Sequence, residues 1–221
     1  MLDRHRSLPG DARQEQVAAV IDELAADPTV SGILLQLPVP DGLDSAALVE
    51  HIPVVKDVDG LTTASAGRLA RGQPGLRPCT PAGVLEILDA ESVPLRGAHA
   101  VVVGRSELVG RPMAQLLLQR DATVAIAHSR TPDLASTTRT AEILVVAAGV
   151  AGLIGAEHVA PGATVIDVGI HPTPLGLVGD VRTSEVVGTA ARITPVPGGV
   201  GPMTIAMLMV NTVGAARWAH R

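Results

Sequence analysis

Three groups of residues carry the chemistry for which this sequence is equipped. The first is the turn Gly104-Arg105-Ser106. It follows the apolar run Ala100 to Val103 and precedes Gly110, Pro112 and an apolar stripe of helical spacing at Leu108, Met113, Leu116 and Leu117. Strand, tight turn and helix in that order bring backbone N–H groups and the positive end of a helix dipole to the strand's carboxyl end, where an anion is stabilised. The glycines are spaced G-x5-G rather than GxGxxG, so an ordinary βα turn with Ser106 as a helix cap fits equally well. The second group is Gln36, a polar amide near the end of the apolar run Val30 to Leu37, together with Asp57 and Asp59 beside Lys56. An amide in such a strand needs partners or a cavity, and the two carboxylates could cap, turn or bind. The third is TPVPGGVGPMT, Thr194 to Thr204, with three prolines and three glycines in eleven residues. That composition argues against helix and central strand. It leaves a stiff loop whose exposed backbone can approach a flat ligand, or a rigid linker.

The elements that must position these groups alternate. A helix over 12–26 carries the stripe Val17, Val20, Ile21 and Leu24 and stops at Asp27-Pro28. A buried strand follows at 30–37, then a short helix at 45–51 and another beginning at Thr80-Pro81. From there strands at 100–103, 123–127, 143–147, 164–168 and 192–194 are separated by helices at 108–120 and 133–141, a short helical turn at 157–159, and a loop or short strand at 178–181. Such alternation predicts a parallel, doubly wound sheet, with ligands outside the carboxyl ends of its strands. Those ends carry Gly104-Arg105-Ser106, His128-Ser129-Arg130, Gly149 and Gly169-Ile170. In a dinucleotide site that prefers NAD, an acidic residue near the second strand end takes the ribose hydroxyls. Here that position reads His128-Ser129-Arg130-Thr131, donors and positive charge that suit a 2′-phosphate, so the dinucleotide expected is NADP. The last helix, 203–218, is strongly apolar and is expected to pack back on the first unit.

Composition narrows the classes. Hydrophobic residues make up 47% of the 221 and charged residues 18%, as in a globular protein. A net charge of −5 with no basic run argues against nucleic-acid binding. No apolar run is long enough for a membrane span, and the first residues lack a signal peptide's apolar core, so the expected location is the cytoplasm. Cys79 is the single cysteine, which excludes an intrachain disulfide and reads as a packed side chain rather than a nucleophile. The histidines show no metal-ligand spacing. There is no tyrosine and no phenylalanine, and of the 17 basic residues only Lys56 is a lysine.

Read together, GILLQLPVP, KDVDGLT, AGRLARG, RPCTPAGVLEIL, GAHAVVVGRSELVGRPM, AEILVVAAG, PGATVIDVGI and ITPVPGGVGPMTIAMLM closely resemble the bifunctional methylenetetrahydrofolate dehydrogenases/methenyltetrahydrofolate cyclohydrolases. The strings run in the family's order from about residue 15 to the end. The resemblance implies a two-domain α/β protein, usually a homodimer: a Rossmann-like doubly wound NADP domain at 81–202, and a folate-side domain from 1–80 completed by the helix 203–221. It implies oxidation of 5,10-methylenetetrahydrofolate with NADP and hydrolysis of the methenyl product to 10-formyltetrahydrofolate. By the family pattern Gly104, Arg105, Ser106, Ser129, Ile170 and Thr204 bind the cofactor, Arg105 and Ser129 taking the 2′-phosphate. Leu35, Gln36, Leu37 and Asp59 line the pterin site, Asp59 bonding the ring and Gln36 assisting the chemistry. Pro197, Gly198, Gly199, Val200 and Gly201 lie against folate and nicotinamide.

One departure bears on activity. The family's cyclohydrolase lysine sits in an upstream Tyr-x-x-x-Lys helix, and Lys56 belongs to KDVDG, so it is a different lysine. The expectation is that a segment precedes these residues in the family, lost through a start placed too far downstream or in a shortened paralogue. Strand 30–37 would then have unpaired edges. Without the lysine, cyclohydrolase activity is expected to be absent. A dinucleotide-binding module or partner subunit without turnover is the competing reading, and another NADP oxidoreductase of similar fold is disfavoured by PGGVGPMT beside KDVDG.

Overall fold

The computed structural model describes residues 2–174 and 176–219. Helix α1 (Gln14–Ala26) buries Val17 and Ile21, the centre of its predicted stripe, against Ile33, Leu48 and Ile52 in a small core. Helices α2 (Ser45–Val49) and α3 (Thr63–Ala70) follow, capped by the side chains of Asp44 and Thr62, which accept N–H bonds from Ala47 and Ser65.

The expected strand at 30–37 does not form a ladder. Among the described residues the segment makes one parallel bridge, Ile33 to Asp57, in which the Ile33 N–H donates to Lys56 O at 2.8 Å. Only Ile33 in that run is buried, and Leu34 is exposed. An apolar sequence favours extended backbone, but a strand exists only where a neighbour accepts its hydrogen bonds. Gly32 lies where a Cβ would overlap the Val58 side chain, so this contact holds the segment to the 56–60 loop.

Helix α4 (Cys79–Ala90) leads into a five-stranded parallel sheet. Its members are β1 (His99–Val103), β2 (Thr123–Ala127), β3 (Ile143–Val146), β4 (Thr164–Asp167) and, further along, β7 (Arg192–Ile193). They are joined through α5 (Gly110–Gln119), α6 (Leu134–Thr138) and a 3-10 turn at Ala156–His158. A small antiparallel hairpin, β5 (His171–Thr173) with β6 (Gly176–Val178), and α7 (Thr183–Val186) intervene before β7; the sequence offered only a loop or short strand at 178–181, which meets β6 at Val178.

The strand order is β2-β1-β3-β4-β7. Alternation along β1 explains the two-sided core. Ala100 and Val102 pack with α4 and α5 residues on one face, Val101 and Val103 with Ala127, Ile154 and Val186 on the other. Both faces are covered, as a doubly wound sheet requires. Strands β2 and β3 flank β1, so the winding reverses there and a crevice opens at the carboxyl ends.

The last helix, α8 (Val200–Ala219), starts earlier than expected and takes in Val200 to Thr204, the end of the proline- and glycine-rich run. Pro202 falls in its first turn, where a missing N–H breaks no helical bond, so proline starts this helix instead of forbidding it. Near Met203 the helix passes so close to α4 that a Cβ on Gly83 would be crowded by Met203. Its far half packs Leu208, Ala215 and Trp218 against Val58 and Leu76 of the first unit, as expected.

Candidate functional site

The β1–α5 turn is built by its glycines. Gly104 has φ +124°, and a Cβ there would overlap the Ala147 carbonyl at the end of β3; one on Gly110 would overlap Gly104 O. Both residues are therefore fixed by close backbone packing, Gly104 against the end of β3 and Gly110 within the turn itself. Ser106 Oγ accepts the N–H groups of Val109 (3.2 Å) and Gly110 (3.3 Å), so it closes the turn that leads into α5, whose own N-cap residue is Val109. Arg105, Ser106, Ser129 and Arg130 are exposed at the neighbouring ends of β1 and β2. The second turn is shaped internally: His128 N–H donates to Thr131 Oγ1 at 2.9 Å and Arg130 N–H to His128 Nδ1 at 3.1 Å. Among the described residues no carboxylate pairs with Arg105 or Arg130. Exposed hydroxyls and unpaired guanidinium groups form a donor set that fits a phosphorylated ribose.

A cleft of about 410 Å³ lies beyond the end of β4. Its walls are Asp167, Gly169 and Ile170 on one side and Pro197, Gly198, Gly199, Val200 and Gly201 on the other, with Ile205 at the rim. Gly198, at φ +102°, makes the turn before α8. Ile170, which the resemblance gives to the cofactor, and 197–201, which it gives to folate and nicotinamide, line the same cleft. Thr204 stands apart from this lining. Its hydroxyl lies 2.9 Å from Thr80 Oγ1 at the start of α4, which joins the two helices.

A second, smaller hollow is lined by Ile33, Leu35, Val49, Ile52, Asp57, Asp59 and Leu61. Its two acids have different tasks. Asp57 is buried and accepts from Leu61 N, Thr62 N, Thr62 Oγ1 and Ser65 Oγ at 2.6–3.1 Å, so it organises the turn and holds Thr62, the cap residue of α3. Asp59 is the acid left for a ligand. Burial raises its carboxyl above the usual range and the nearby Asp57 charge adds to this, while the neighbouring Cys79 side chain opposes both. Gln36 is exposed, its Nε2 donating to Leu37 O at 3.0 Å, and Leu37 is half-buried beside it. Lys56 faces away from the hollow: Nζ donates to Ala25 O (2.7 Å), Asp27 O (2.8 Å) and Leu24 O (3.4 Å), capping α1.

Cys79 is buried, and its pKa is pushed up to about 12 by burial first and then by the Asp59 charge, which leaves an inert thiol. Cys79 and Thr80, adjacent in sequence, thus serve both regions: one touches the Asp59 loop and the other Thr204.

Sequence reasoning missed the buried polar residues behind these surfaces. Asn211, inside the apolar α8, donates from Nδ2 to Val58 O and Arg77 O at 2.8 Å each. Asp167 and Asp180 are buried beneath the cleft and accept backbone N–H groups from several strand ends. A signal was present, since Asn211 and Asp167 interrupt apolar runs just as Gln36 does. No helix among the described residues is long and apolar enough to cross a membrane, and no group of metal-ligating side chains is found among them.

Two family models match the chain. The tetrahydrofolate dehydrogenase/cyclohydrolase NAD(P)-binding domain covers residues 78–220, and the catalytic domain of the same family covers 1–59. Bifunctional protein FolD 2 of Frankia alni is 67% identical over 219 residues, 99% of this chain and 76% of the relative. Bifunctional protein FolD 1 of Rubrobacter xylanophilus is 57% identical over 215 residues, 97% of this chain and 76% of that protein. Among solved structures, the bifunctional FolD dehydrogenase/cyclohydrolase of Campylobacter jejuni superposes with a TM-score of 0.92 at 46% identity, covering 94% of this chain and 74% of that one. The Trypanosoma brucei enzyme, complexed with NADP and an inhibitor, gives 0.91 at 39% identity, over 97% of this chain and 76% of that one.

Proposed function

From a chain that belongs to the tetrahydrofolate dehydrogenase/cyclohydrolase family, we infer a one-carbon folate enzyme that oxidises 5,10-methylenetetrahydrofolate to the methenyl form with NADP. The observation that carries this reading is the joining of two surfaces through α4 and α8. One is the cleft walled by Ile170 and Pro197–Gly201 at the end of a doubly wound sheet; the other is the hollow that holds Asp59.

NADP supplies the hydride acceptor. The chain's own residues bind and orient. Arg105 and Ser129 take the 2′-phosphate, where charge without a carboxylate competitor selects NADP over NAD. Gly104 and Ser106 hold the dinucleotide at the β1–α5 turn, and Ile170 and Thr204 complete its site. Asp59 bonds the pterin ring between Leu35 and Leu37, and its raised proton affinity suits a carboxyl that shares a proton with a ring nitrogen. Gln36 assists the chemistry. The stiff 197–201 segment keeps nicotinamide and folate together, so the protein's contribution to hydride transfer is orientation.

Hydrolysis of the methenyl product to 10-formyltetrahydrofolate is the family's second step. Within these 221 residues the sole lysine is Lys56, whose ammonium is taken up by the carbonyls at the end of α1. Loss of a central acid–base group costs about 10²–10⁴-fold, so the dehydrogenase is the activity assigned to this polypeptide. The proposal includes a division into a folate-side unit, 1–80 with 203–221, and an NADP unit, 81–202. It also includes a homodimer working in the cytoplasm. The test is an NADP titration of the 221-residue chain followed by a methylenetetrahydrofolate assay in the same tube. Binding with turnover is expected. Binding without turnover would favour a cofactor-binding partner subunit, and a full cyclohydrolase rate would overturn the assignment of Lys56.

A further inference from the structure

The floor of the cleft rests on two buried carboxylates that no step of the reaction uses. Asp180 is fully buried. Its Oδ2 accepts the N–H groups of Ala148 (2.7 Å) and Gly149 (2.9 Å) beyond the end of β3, and its Oδ1 lies 2.7 Å from His171 Nε2 at the start of β5. Its own N–H donates to Asp167 Oδ1 at 2.9 Å. Asp167, the last residue of β4, also accepts from Gly169 N and Val181 N at 3.0 Å each, while its N–H donates to Thr194 Oγ1 at 2.8 Å, just past β7. The segments beyond β3, β4 and β6 therefore hang on two side chains, and the end of β7 is tied to the Asp167 backbone through Thr194. A Cβ on Gly169 would overlap the Asp180 carboxylate, and one on Gly179 would overlap that of Asp167, so both chain segments must pass without a side chain.

Burying two carboxylates is a poor route to stability, because apolar residues of similar volume hold a core as well or better. What the pair achieves is geometry: bonds of fixed length between the Gly149 turn, the Gly169-Ile170 wall and the Asp180-Val181 segment. Among the described residues, His171 is the only side chain bonded to Asp180, all its other donors being backbone N–H groups. His171 directly follows Ile170, whose exposed side chain forms part of the cleft wall.

We propose that Asp180 and His171 are positioning residues: through their bond they set Ile170 and the Gly149 turn at the spacing that receives the nicotinamide half of NADP. The proposal rests on the cofactor reading given above, and it predicts a split between the two ends of the dinucleotide. The adenosine 2′-phosphate end meets the side chains of Arg105 and Ser129 at β1 and β2, neither of which is bonded to Asp180 or His171. The nicotinamide end meets Ile170 and the 197–201 wall.

The test is calorimetric titration of the full chain with NADP and, separately, with adenosine 2′,5′-bisphosphate. The variants are His171→Ala and His171→Gln, the latter keeping an N–H donor of similar reach. Loss of a hydrogen bond to a buried charge predicts an affinity for NADP weakened about tenfold in His171→Ala, with the bisphosphate bound as in the wild type and NADP binding largely restored in His171→Gln. Equal NADP affinity in His171→Ala and wild type would overturn the proposal. So would parallel weakening of both ligands, the mark of a general loss of structure, or a glutamine variant no better than alanine. Wild type that binds neither ligand would instead refute the cofactor reading itself. Should His171→Ala fail to fold, His171→Leu fills the same space without a donor and is judged by the same comparison.

Discussion

Asn211→Leu keeps the branching and heavy-atom count of a side chain that is 7% exposed and removes its amide. The native Nδ2 donates to Val58 O and Arg77 O at 2.8 Å each, holding α8 to the two segments that flank Asp59 and Cys79. A typical bond contributes about 1 kcal/mol net, and a buried carbonyl left unpaired costs about 1–3 kcal/mol. Val58 O keeps one weak donor, the Cys79 thiol at 3.4 Å, so the loss expected for the pair is about 2–4 kcal/mol. Urea unfolding followed by the fluorescence of Trp218 measures it, since this sole tryptophan packs with Val58, Leu76 and Ala215 in the same cluster. With a slope of about 2–3 kcal/mol per molar urea, the midpoint should fall by about 1 M at unchanged slope. A loss below about 1 kcal/mol would show that these carbonyls do not depend on Asn211 and would refute the reasoning. Because Val58 precedes Asp59, folate affinity should also fall more than NADP affinity. An equal fall in both would separate the clamp from the Asp59 loop.

Three further outcomes follow from the same geometry. Gly104→Ala adds a Cβ that overlaps the Ala147 carbonyl at a residue with φ +124°. It should destabilise by about 2–5 kcal/mol and abolish NADP binding, and a variant with native melting temperature and native affinity would refute the close-packing argument. Asp27 is held down to about 2 by hydrogen bonds from Thr29 and Arg4. A depressed carboxyl contributes stability that is present above its unfolded value of 3.8 and lost as pH falls through about 2. The melting-temperature gap between wild type and Asp27→Asn should therefore be constant at neutral pH and close across that acid window; a gap that instead changes between pH 6 and 8 contradicts this cause. Cys79, with its pKa pushed up to about 12, should resist alkylation by iodoacetamide at pH 8 until urea unfolds the chain. Stoichiometric labelling of the native protein would show the thiol to be accessible and ionised.

Most of the Rossmann-like half was legible because its signals are local. Ala100 to Val103 followed by Gly104 reads as a buried strand ending in a turn without knowledge of any neighbour, and an apolar stripe such as Met113, Leu116 and Leu117 specifies which helix face meets the sheet. The site was legible where chemistry leaves a compositional mark. The absence of an acid at His128-Ser129-Arg130 and the prolines and glycines of 194–204 are both visible in one dimension. Legibility failed where a residue's state depends on a distant partner. The run 30–37 has a strand's composition yet makes only the Ile33–Asp57 bridge, because hydrogen bonds between strands belong to the pair. Pro202 looked like a helix breaker until the chain's path placed it in a first turn.

Residue types and order alone therefore determined the family resemblance and the doubly wound sheet, and raised the expectation of NADP, since each rests on patterns carried by contiguous residues. Tertiary structure decided which polar groups are free to act. Asp57 and Asp59 are two residues apart and chemically identical, but one is consumed by four donors and the other faces a hollow. The lysine between α1 and that hollow is turned to helix carbonyls, and two strand-end carboxylates became the frame of a cleft. The physical reason is common to all of them. A charged or polar side chain takes its role from the donors, acceptors and burial around it, and only the fold brings those together.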